Sequence, residues 1–134
     1  MERTLIILKP DAVKRQLVGT ILSRFEQKGL KIVAMRMLQF TSELARKHYV
    51  DHLDKPFYPG LETYIMSGPT IAAILEGESA VSVVRRMIGP TNGAEAPPGT
   101  VRGDFALNSQ SNLVHASDST GAAEREMAIF FAEN

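Results

Sequence analysis

Four apolar, strand-like segments alternate with helix-like segments along this chain, and that order restricts the folds open to it. The predicted strands cover residues 3–8, 31–40, 70–75 and about 113–115. Between them, apolar residues recur every three to four positions, which is typical of amphipathic helices. The predicted helices run from the Lys9-Pro10-Asp11 turn to Gly29, from Thr41 or Ser42 to Val50, from Leu61 to Met66, from Ser79 to Ile88, and from about Gly121 to Phe131. The order is therefore β-α-β-α-β-α-β-α.

This order predicts an α/β (α+β) sandwich built on one four-stranded sheet. A ferredoxin-like antiparallel sheet and a doubly wound parallel sheet are both compatible with it. Because the middle connection is a helical hairpin and there are only four strands, we favour the ferredoxin-like arrangement with helices packed on the sheet. A chain of 134 residues can bury about two thirds of its unfolded surface. Since no linker or repeat interrupts it, we expect residues 1–134 to form a single domain.

Charge and composition argue against several classes of function. The 15 basic and 15 acidic residues cancel, which disfavours dedicated nucleic-acid binding driven by phosphate neutralisation. The chain has no Cys, so disulfides and thiolate metal sites are ruled out. There is neither an apolar run of membrane-spanning length nor a signal-peptide pattern. We therefore expect a cytoplasmic protein with no membrane partner, in which any anion site is local.

Glu126 is out of place in the last predicted helix. On a helical projection it falls in the middle of an apolar stripe formed by Ala122, Ala123, Met127, Ile129 and Phe130. A carboxylate there is costly without a polar partner. The natural partner is His115, at the end of the last strand and followed by the small residues Ala116 and Ser117. The pattern predicts an imidazole presented as a nucleophile; a His–Glu pair that merely satisfies itself is the alternative.

Basic residues lie where a local anion site can form. Arg85 is at the edge of an apolar helix face and can reach a cleft, whereas Arg86 faces water. Lys9 follows the first strand, and Arg102 lies at the end of an irregular loop predicted from 89 to about 103. For each of these basic residues, a solvated surface charge is the alternative. Loops this long are usually functional or disordered. No Gly-x-x-x-x-Gly-Lys-Ser/Thr motif occurs, so phosphates would be held by side chains from separate segments.

Short motifs follow one another in a fixed order through nearly the whole chain. They are Glu2-Arg3-Thr4, Lys9-Pro10-Asp11, His48-Tyr49, Lys55-Pro56-Phe57, Ser67-Gly68-Pro69, Leu75-Glu76-Gly77, Gly89-Pro90-Thr91-Asn92, Pro98-Gly99-Thr100-Val101-Arg102-Gly103-Asp104-Phe105 and Asn112-Leu113-Val114-His115-Ala116-Ser117-Asp118-Ser119. Each motif is weak alone, but the ordered set is specific, and in it the chain resembles the nucleoside diphosphate kinases. The resemblance implies a ferredoxin-like sandwich, Mg²⁺-dependent exchange of the γ-phosphate between nucleotides, and a homohexamer or homotetramer.

The resemblance also implies a role for each matching residue. His115 would be the pros-phosphohistidine nucleophile, with Ser117 and Glu126 steadying it, and Tyr49 would lie beside the transferred phosphate. The implied nucleotide-binding positions are Lys9, Phe57, Arg85, Thr91, Arg102 and Asn112. Histidine suits this chemistry because its side chain is largely neutral and nucleophilic at pH 7 and can pass a phosphoryl group on. Ping-pong kinetics would follow.

Residue type indicates what each implied contact does. The two arginines and Thr91 can hold phosphate oxygens. Lys9 and Asn112 would meet the sugar hydroxyl, with Lys9 also close to the moving phosphoryl group. Phe57 can stack on a base without reading its edge, which predicts broad specificity for ribo- and deoxynucleoside tri- and diphosphates, ATP and GTP among them. No residue is expected to bind Mg²⁺ directly, since the nucleotide phosphates would carry it.

Two residues depart from the family pattern. Gly93 stands where many relatives have Pro, a change expected to loosen the loop that shapes subunit contacts. Ala116 stands where Gly is common, so the backbone there must suit a residue with a side chain. The short stretch after the last helix leaves hexamer and tetramer open, and we favour the hexamer. A non-catalytic nucleotide-binding module and a purely structural oligomer are the rival functions on this fold.

Overall fold

Strands and helices alternate as predicted in the computed structural model, which describes residues 1–132. The elements are β1 (Glu2–Leu8), α1 (Pro10–Lys14), α2 (Val18–Lys28), β2 (Lys31–Gln39), α3 (Ser42–His48), a 3-10 turn (Val50–His52), α4 (Tyr58–Ile65), β3 (Pro69–Gly77), α5 (Ala80–Ile88), α6 (Val101–Phe105), β4 (Val114–Ala116) and α7 (Thr120–Phe131). The last two residues of the predicted domain lie outside the described range. Within that range, no helix combines the length and the apolar character needed to cross a bilayer.

The sheet has the strand order β2-β3-β1-β4, and every neighbouring pair is antiparallel. This is the ferredoxin-like arrangement, so that prediction is confirmed and the doubly wound parallel sheet is not formed. The short strand β4 pairs with the central strand β1, and His115 lies opposite Ile7. This pairing also places His115 close to Lys9, which follows β1 directly.

Side chains of β1 alternate between the two faces of the sheet and divide the core in two. Ile6 and Leu8 pack with α2 and α5, while Leu5 and Ile7 pack with α3, α4 and α7. Opposite residues of an antiparallel pair point to the same face. His115 therefore lies on the face covered by α3 and α7, and this is what brings the closing helix to the imidazole.

Local signals explain most of the helix ends. Gly29 ends α2 in the left-handed conformation with a φ of 108°, where glycine is favoured. Thr41 begins α3 by accepting the Leu44 N–H on its side-chain oxygen at 3.1 Å. Ser119 begins α7 in the same way, accepting from Ala122 N–H at 3.0 Å. Ser117 and Asp118 also precede this helix and could have capped it, but Ser119 is the residue that does so.

Several predicted helix boundaries need correction. The first helical stretch is divided into α1 and α2 around Gln16, which has a φ of 59°. The helix predicted to reach Val50 ends at His48, and a 3-10 turn follows. The helix predicted from Leu61 begins at Tyr58 instead, because Pro59 in its first turn favours helix rather than breaking it.

The irregular loop predicted from 89 to about 103 ends earlier. The Thr100 side chain accepts the Gly103 N–H at 2.9 Å and begins α6. Gly93 is buried, its N–H donates to the Asn108 carbonyl at 3.1 Å, and a Cβ there would lie 2.5 Å from the Ala106 Cβ. The loop is therefore closely packed at Gly93 within the chain, and the effect of this residue on subunit contacts stays a prediction. Ala116 lies within β4 and has no positive φ, so its side chain is tolerated.

Candidate functional site

His115 and Glu126 meet as predicted from the misplaced carboxylate. The His115 Nε2 lies 2.8 Å from Glu126 Oε1, and Glu126 is only 4% exposed. Ser117, fully buried at the end of β4, donates its hydroxyl to the same carboxylate oxygen at 2.8 Å. An ionised carboxylate only accepts hydrogen bonds, so Nε2 carries the proton and Nδ1 is left as the nucleophilic nitrogen.

The charge of Glu126 is stabilised in spite of its burial. Burial acts to raise the pKa of this carboxyl, but the hydrogen bonds from His115 and Ser117 and the charge of Arg125 outweigh it. The resulting pKa is below the ordinary glutamate value. Arg125 contributes from a distance, with its Nη2 lying 3.8 Å from Glu126 Oε2. Glu126 is therefore ionised at neutral pH and can stabilise positive charge on the imidazole.

His48 is a further part of the site that the sequence patterns did not single out. Its ring lies perpendicular to that of His115, with 4.7 Å between the centroids, and only 4% of the residue is exposed. Burial and then the positive charges around it lower its pKa well below the ordinary histidine value. His48 is thus neutral and adds no charge that would compete for Glu126. A signal was available in the sequence, because His48 lies three positions after Ala45 and therefore on the same buried side of α3.

A cleft of about 740 Å³ opens beside His115. The predicted residues that line it together are Lys9, Tyr49, Phe57, Arg85, Thr91, Arg102, Asn112 and His115. The other two predicted residues lie outside the cleft lining: Glu126 contacts His115, and Ser117 contacts Glu126. His52, Ser109 and Gln110 also line the cleft, and no sequence signal marked them. Within residues 1–132, the cleft lining contains no carboxylate.

Lys9 joins three segments of the cleft through a chain of hydrogen bonds. Its Nζ donates to Asn112 Oδ1 at 2.8 Å, and Asn112 Nδ2 donates to the Thr91 carbonyl at 2.9 Å. Burial and the nearby Arg102 charge lower the Lys9 pKa to about 8, while Asp11 acts in the opposite direction. Lys9 is thus still mostly charged at pH 7, and an anion in the cleft would stabilise that charge.

The two arginines of the cleft are both tied to main-chain carbonyls near β4. Arg102, only 5% exposed, donates from Nη1 to Gly89 at 2.9 Å and from Nη2 to Val114 at 2.6 Å. Burial and the charge of Arg85 lower its pKa to about 10, so it stays charged at neutral pH. Arg85 donates from Nη1 to Ala116 at 3.2 Å. A guanidinium has five donors, so N–H groups remain for a phosphate at both residues.

The two aromatic residues of the cleft differ in exposure. Phe57, next to α4, is 57% exposed, and its ring lies 5.7 Å from that of His52. Tyr49 is buried, and burial raises the pKa of its hydroxyl, which stays protonated and can donate. An exposed aromatic face at the edge of a cationic cleft suits stacking on a flat ligand, whereas a buried phenol suits a contact close to His115.

An imidazole held by a buried carboxylate faces three cationic side chains, and the chemistry this suits is transfer of a phosphoryl group. Fold and site together define the class of protein as an α/β phosphotransferase. The sequence model of one family, described as nucleoside diphosphate kinase, matches residues 2–134. The chain belongs to the nucleoside diphosphate kinase family.

Individual relatives agree with this assignment over nearly full lengths. The chain is 56% identical to a nucleoside diphosphate kinase of Rhodopirellula baltica, over 98% of this chain and 86% of that protein. It is 55% identical to one of Thermoplasma volcanium, over 100% and 91%. A halophilic nucleoside diphosphate kinase of Halobacterium salinarum, solved in complex with CDP, superimposes with a TM-score of 0.96 at 46% identity, covering 98% of this chain and 88% of that one.

Proposed function

We propose that this protein transfers the γ-phosphate of a nucleoside triphosphate to a nucleoside diphosphate, with a phosphohistidine at His115 as the intermediate. The observation that carries the proposal is the orientation of His115. Its Nε2 is bound to Glu126 at 2.8 Å, while the same ring lines the cationic cleft. The pros nitrogen, Nδ1, is therefore the one available to a phosphorus atom.

The two half-reactions follow from this orientation. The lone pair on Nδ1 attacks the γ-phosphorus, the bond from phosphorus to the β,γ-bridging oxygen breaks, and the diphosphate leaves with the electron pair. No proton has to move, because Nε2–H stays on the ring and donates to Glu126. In the second half-reaction a terminal phosphate oxygen of the acceptor attacks phosphorus, and the N–P bond breaks. Because the first product leaves before the acceptor binds, the kinetics are ping-pong.

The cleft residues position the nucleotide for this transfer. Arg85, Arg102 and the Thr91 hydroxyl hold phosphate oxygens, and Tyr49 lies beside the transferred phosphate. Lys9 and Asn112, already joined at 2.8 Å, meet the sugar hydroxyl. Because phosphoryl transfer depends mainly on positioning and charge stabilisation, these groups are chemically sufficient once the phosphate charge is neutralised.

Base specificity is broad because Phe57 contacts only a base face. Its exposed ring offers stacking without base-edge readout. ATP, GTP and other ribo- and deoxynucleotides would therefore be accepted. The solved relative in complex with CDP shows that a pyrimidine nucleoside diphosphate binds a protein of this fold.

The donor set of the cleft fits Mg²⁺ that arrives with the nucleotide. Mg²⁺ prefers oxygen ligands and commonly remains coordinated by substrate phosphates and water, and no carboxylate within residues 1–132 lines this cleft. When bound, the ion neutralises phosphate charge during transfer. The residues of the chain hold the phosphates rather than the metal.

We further propose a homo-oligomer, a hexamer in preference to a tetramer, located in the cytoplasm. The edge strand β2 carries Met35 and Met37, which are more than half exposed in the isolated chain. Apolar side chains on an unpaired sheet edge favour association with another subunit.

Labelling with γ-labelled ATP tests the proposal. The isolated protein should carry an acid-labile label that an unlabelled nucleoside diphosphate removes, and His115→Ala should abolish the label. His52→Gln is the matched control, since His52 lines the same cleft without a bond to Glu126; it should keep an acid-labile label. Label that resists acid, or label retained in His115→Ala, would sink the proposal.

A further inference from the structure

The chain bends sharply at Leu113, just before the strand that carries His115. Leu113 has a φ of 77°, a conformation that residues with side chains rarely adopt. The N–H of Val114 donates back to the Asn112 carbonyl at 2.9 Å, which makes this a γ-turn with a positive φ, a rare and strained type. Strain of this kind persists only where surrounding contacts enforce it, and it often lies at functional sites.

Both main-chain polar groups of Leu113 are held by the segment that follows β1. Its N–H donates to Asp11 Oδ2 at 3.1 Å, and its carbonyl accepts the Lys9 N–H at 2.8 Å. The Leu113 side chain is fully buried in the core. The turn is therefore fixed from three directions, of which only the Asp11 contact uses a side-chain hydrogen bond.

Asp11 is in turn held by Tyr64, a residue of α4 on a distant part of the chain. The Tyr64 hydroxyl donates to Asp11 Oδ1, leaving Oδ2 for Leu113. Burial and this hydrogen bond raise the Tyr64 pKa above its ordinary value, so the phenol keeps the proton that it donates. Each carboxylate oxygen of Asp11 thus has one assigned donor.

The turn lies between the two parts of the site that must be aligned. On one side is Asn112, bonded to Lys9 Nζ and to the Thr91 carbonyl; on the other is the strand that presents His115. We propose that Asp11 and Tyr64 are positioning residues for phosphoryl transfer, which fix the turn at Leu113 and thereby the placement of His115 relative to Asn112 and Lys9. The inference rests on the proposed function of His115, and neither Asp11 nor Tyr64 lines the cleft beside it.

Rapid-quench measurement of His115 phosphorylation by γ-labelled ATP separates positioning from a merely structural role. Loss of positioning lowers the rate constant while the labelled fraction stays complete; a structural role alone reduces the labelled fraction and leaves the rate constant unchanged. A shift of about 1 Å near a reacting group can cost about 100-fold in rate. We expect Asp11→Ala to lower the rate constant about 30- to 100-fold, with nucleotide affinity changed less than about threefold.

Conservative variants sharpen the test. The Asp11→Asn amide oxygen can still accept from Leu113 N–H, so this variant should recover most of the rate, and Tyr64→Phe should lose about three- to tenfold. Thr63→Ala is the matched control, because Thr63 is the α4 neighbour of Tyr64 and its hydroxyl bonds only within the helix, to Pro59; its rate should match the native protein.

Rate constants within about twofold of native in both Asp11→Ala and Tyr64→Phe would overturn the positioning role. If Asp11→Ala does not fold, the Tyr64→Phe rate constant decides alone. Failure of the proposed function is seen separately, as the absence of acid-labile label on the native protein.

Discussion

The floor and the mouth of the cleft are built in opposite ways. We call floor the partly buried His115, which lines the cleft, together with three buried residues outside the lining that pack or hydrogen-bond around it: His48 of α3, Ser117 after β4 and Glu126 of α7. The mouth consists of Phe57 and Thr91, which lie beside α4 and in the loop after α5 and are exposed. The orientation of the nucleophile is fixed by packed secondary structure, whereas the contacts with the nucleotide are left on the surface, where ligands of different shape can be accommodated.

The electrostatics of the two regions differ as well. At the floor a single negative charge, Glu126, is made tolerable by donors from His115 and Ser117 at 2.8 Å each. Such a carboxylate stabilises positive charge that develops on the ring during transfer. Around it the cleft is cationic, through Lys9 and the two arginines. The floor is therefore expected to control the rate of the chemical step, and the mouth the affinity.

Among these comparisons of floor and mouth, the largest effect on activity is expected when the floor carboxylate is removed. Glu126→Ala should lower kcat about 100-fold or more and leave nucleotide affinity nearly unchanged, because the imidazole loses its orienting partner while the cleft lining is intact. Steady-state kinetics with separate binding measurements test this. Glu124→Ala is the control, because Glu124 lies on the exposed side of the same helix, and it should behave as native. Lost binding with unchanged transfer would show that Glu126 does not orient His115.

Sequence reasoning succeeded where a residue broke a local pattern. Helical spacing identified Glu126 as a carboxylate on an apolar stripe that required a partner, and the position of His115 at the end of the preceding strand then predicted the pair. His48 broke no pattern, because a histidine on a helix stripe fits an ordinary core position. The contact between Asp11 and Tyr64 was equally invisible, since it joins segments that only the folded sheet brings together.

The mouth residues and the loop predicted from 89 to about 103 show no helical or strand periodicity in the sequence. Phe57 and Thr91 were identified only through the resemblance to a family, because exposed residues in turns carry no helical or strand pattern. The alternation of segments predicted the sheet and its class, since burial requires that periodicity. The pattern did not predict α6, because Gly103 and the prolines before it are typical of a loop. In the structure, the Thr100 side chain caps a short helix there.

Lys9 lies between floor and mouth, and its titration should appear in binding. Its pKa is lowered to about 8 in the free protein, and a bound polyphosphate raises it by favouring the charged amine. Binding therefore takes up a proton between pH 8 and the higher pKa of the complex. The affinity for the nucleotide is therefore highest below pH 8. Between pH 8 and the pKa of Lys9 in the complex, it should fall by up to about tenfold per pH unit.

Titration calorimetry with a nucleoside diphosphate from pH 7 to 9.5 measures this dependence. The nucleotide phosphates are already ionised above pH 8, so they contribute little to the slope. Lys9→Gln should bind more weakly at pH 7 and lose the dependence above pH 8. An unchanged slope in Lys9→Gln would assign the titration to another group.

Removal of the mouth aromatic should affect affinity rather than rate. Phe57→Ala should weaken binding of ATP, GTP and CTP by the same factor, about five- to tenfold, because stacking contributes about 1–1.4 kcal/mol without reading the base edge. Phe57→Tyr retains the ring and serves as the control. Comparison of Kd and kcat for the three bases tests this. A base-dependent loss, or a fall in kcat at saturation, would contradict the division between mouth and floor.

The smallest effect is expected from the cap that begins α7, the helix that carries Glu126. Ser119→Ala removes the acceptor for the Ala122 N–H and should cost about 1 kcal/mol of stability, lowering Tm by about 4 °C at fixed protein concentration. Activity should stay within about twofold of native, because Ala123 and Phe130 are buried and hold the helix against the sheet. Ser82→Ala is the control, because it removes an exposed hydroxyl on α5 that donates to the Ser79 carbonyl at 3.2 Å and caps no helix N–H. A fall in kcat as large as that of Glu126→Ala would mean that orientation of His115 depends on the helix end, and the floor would then be less rigid than its burial indicates.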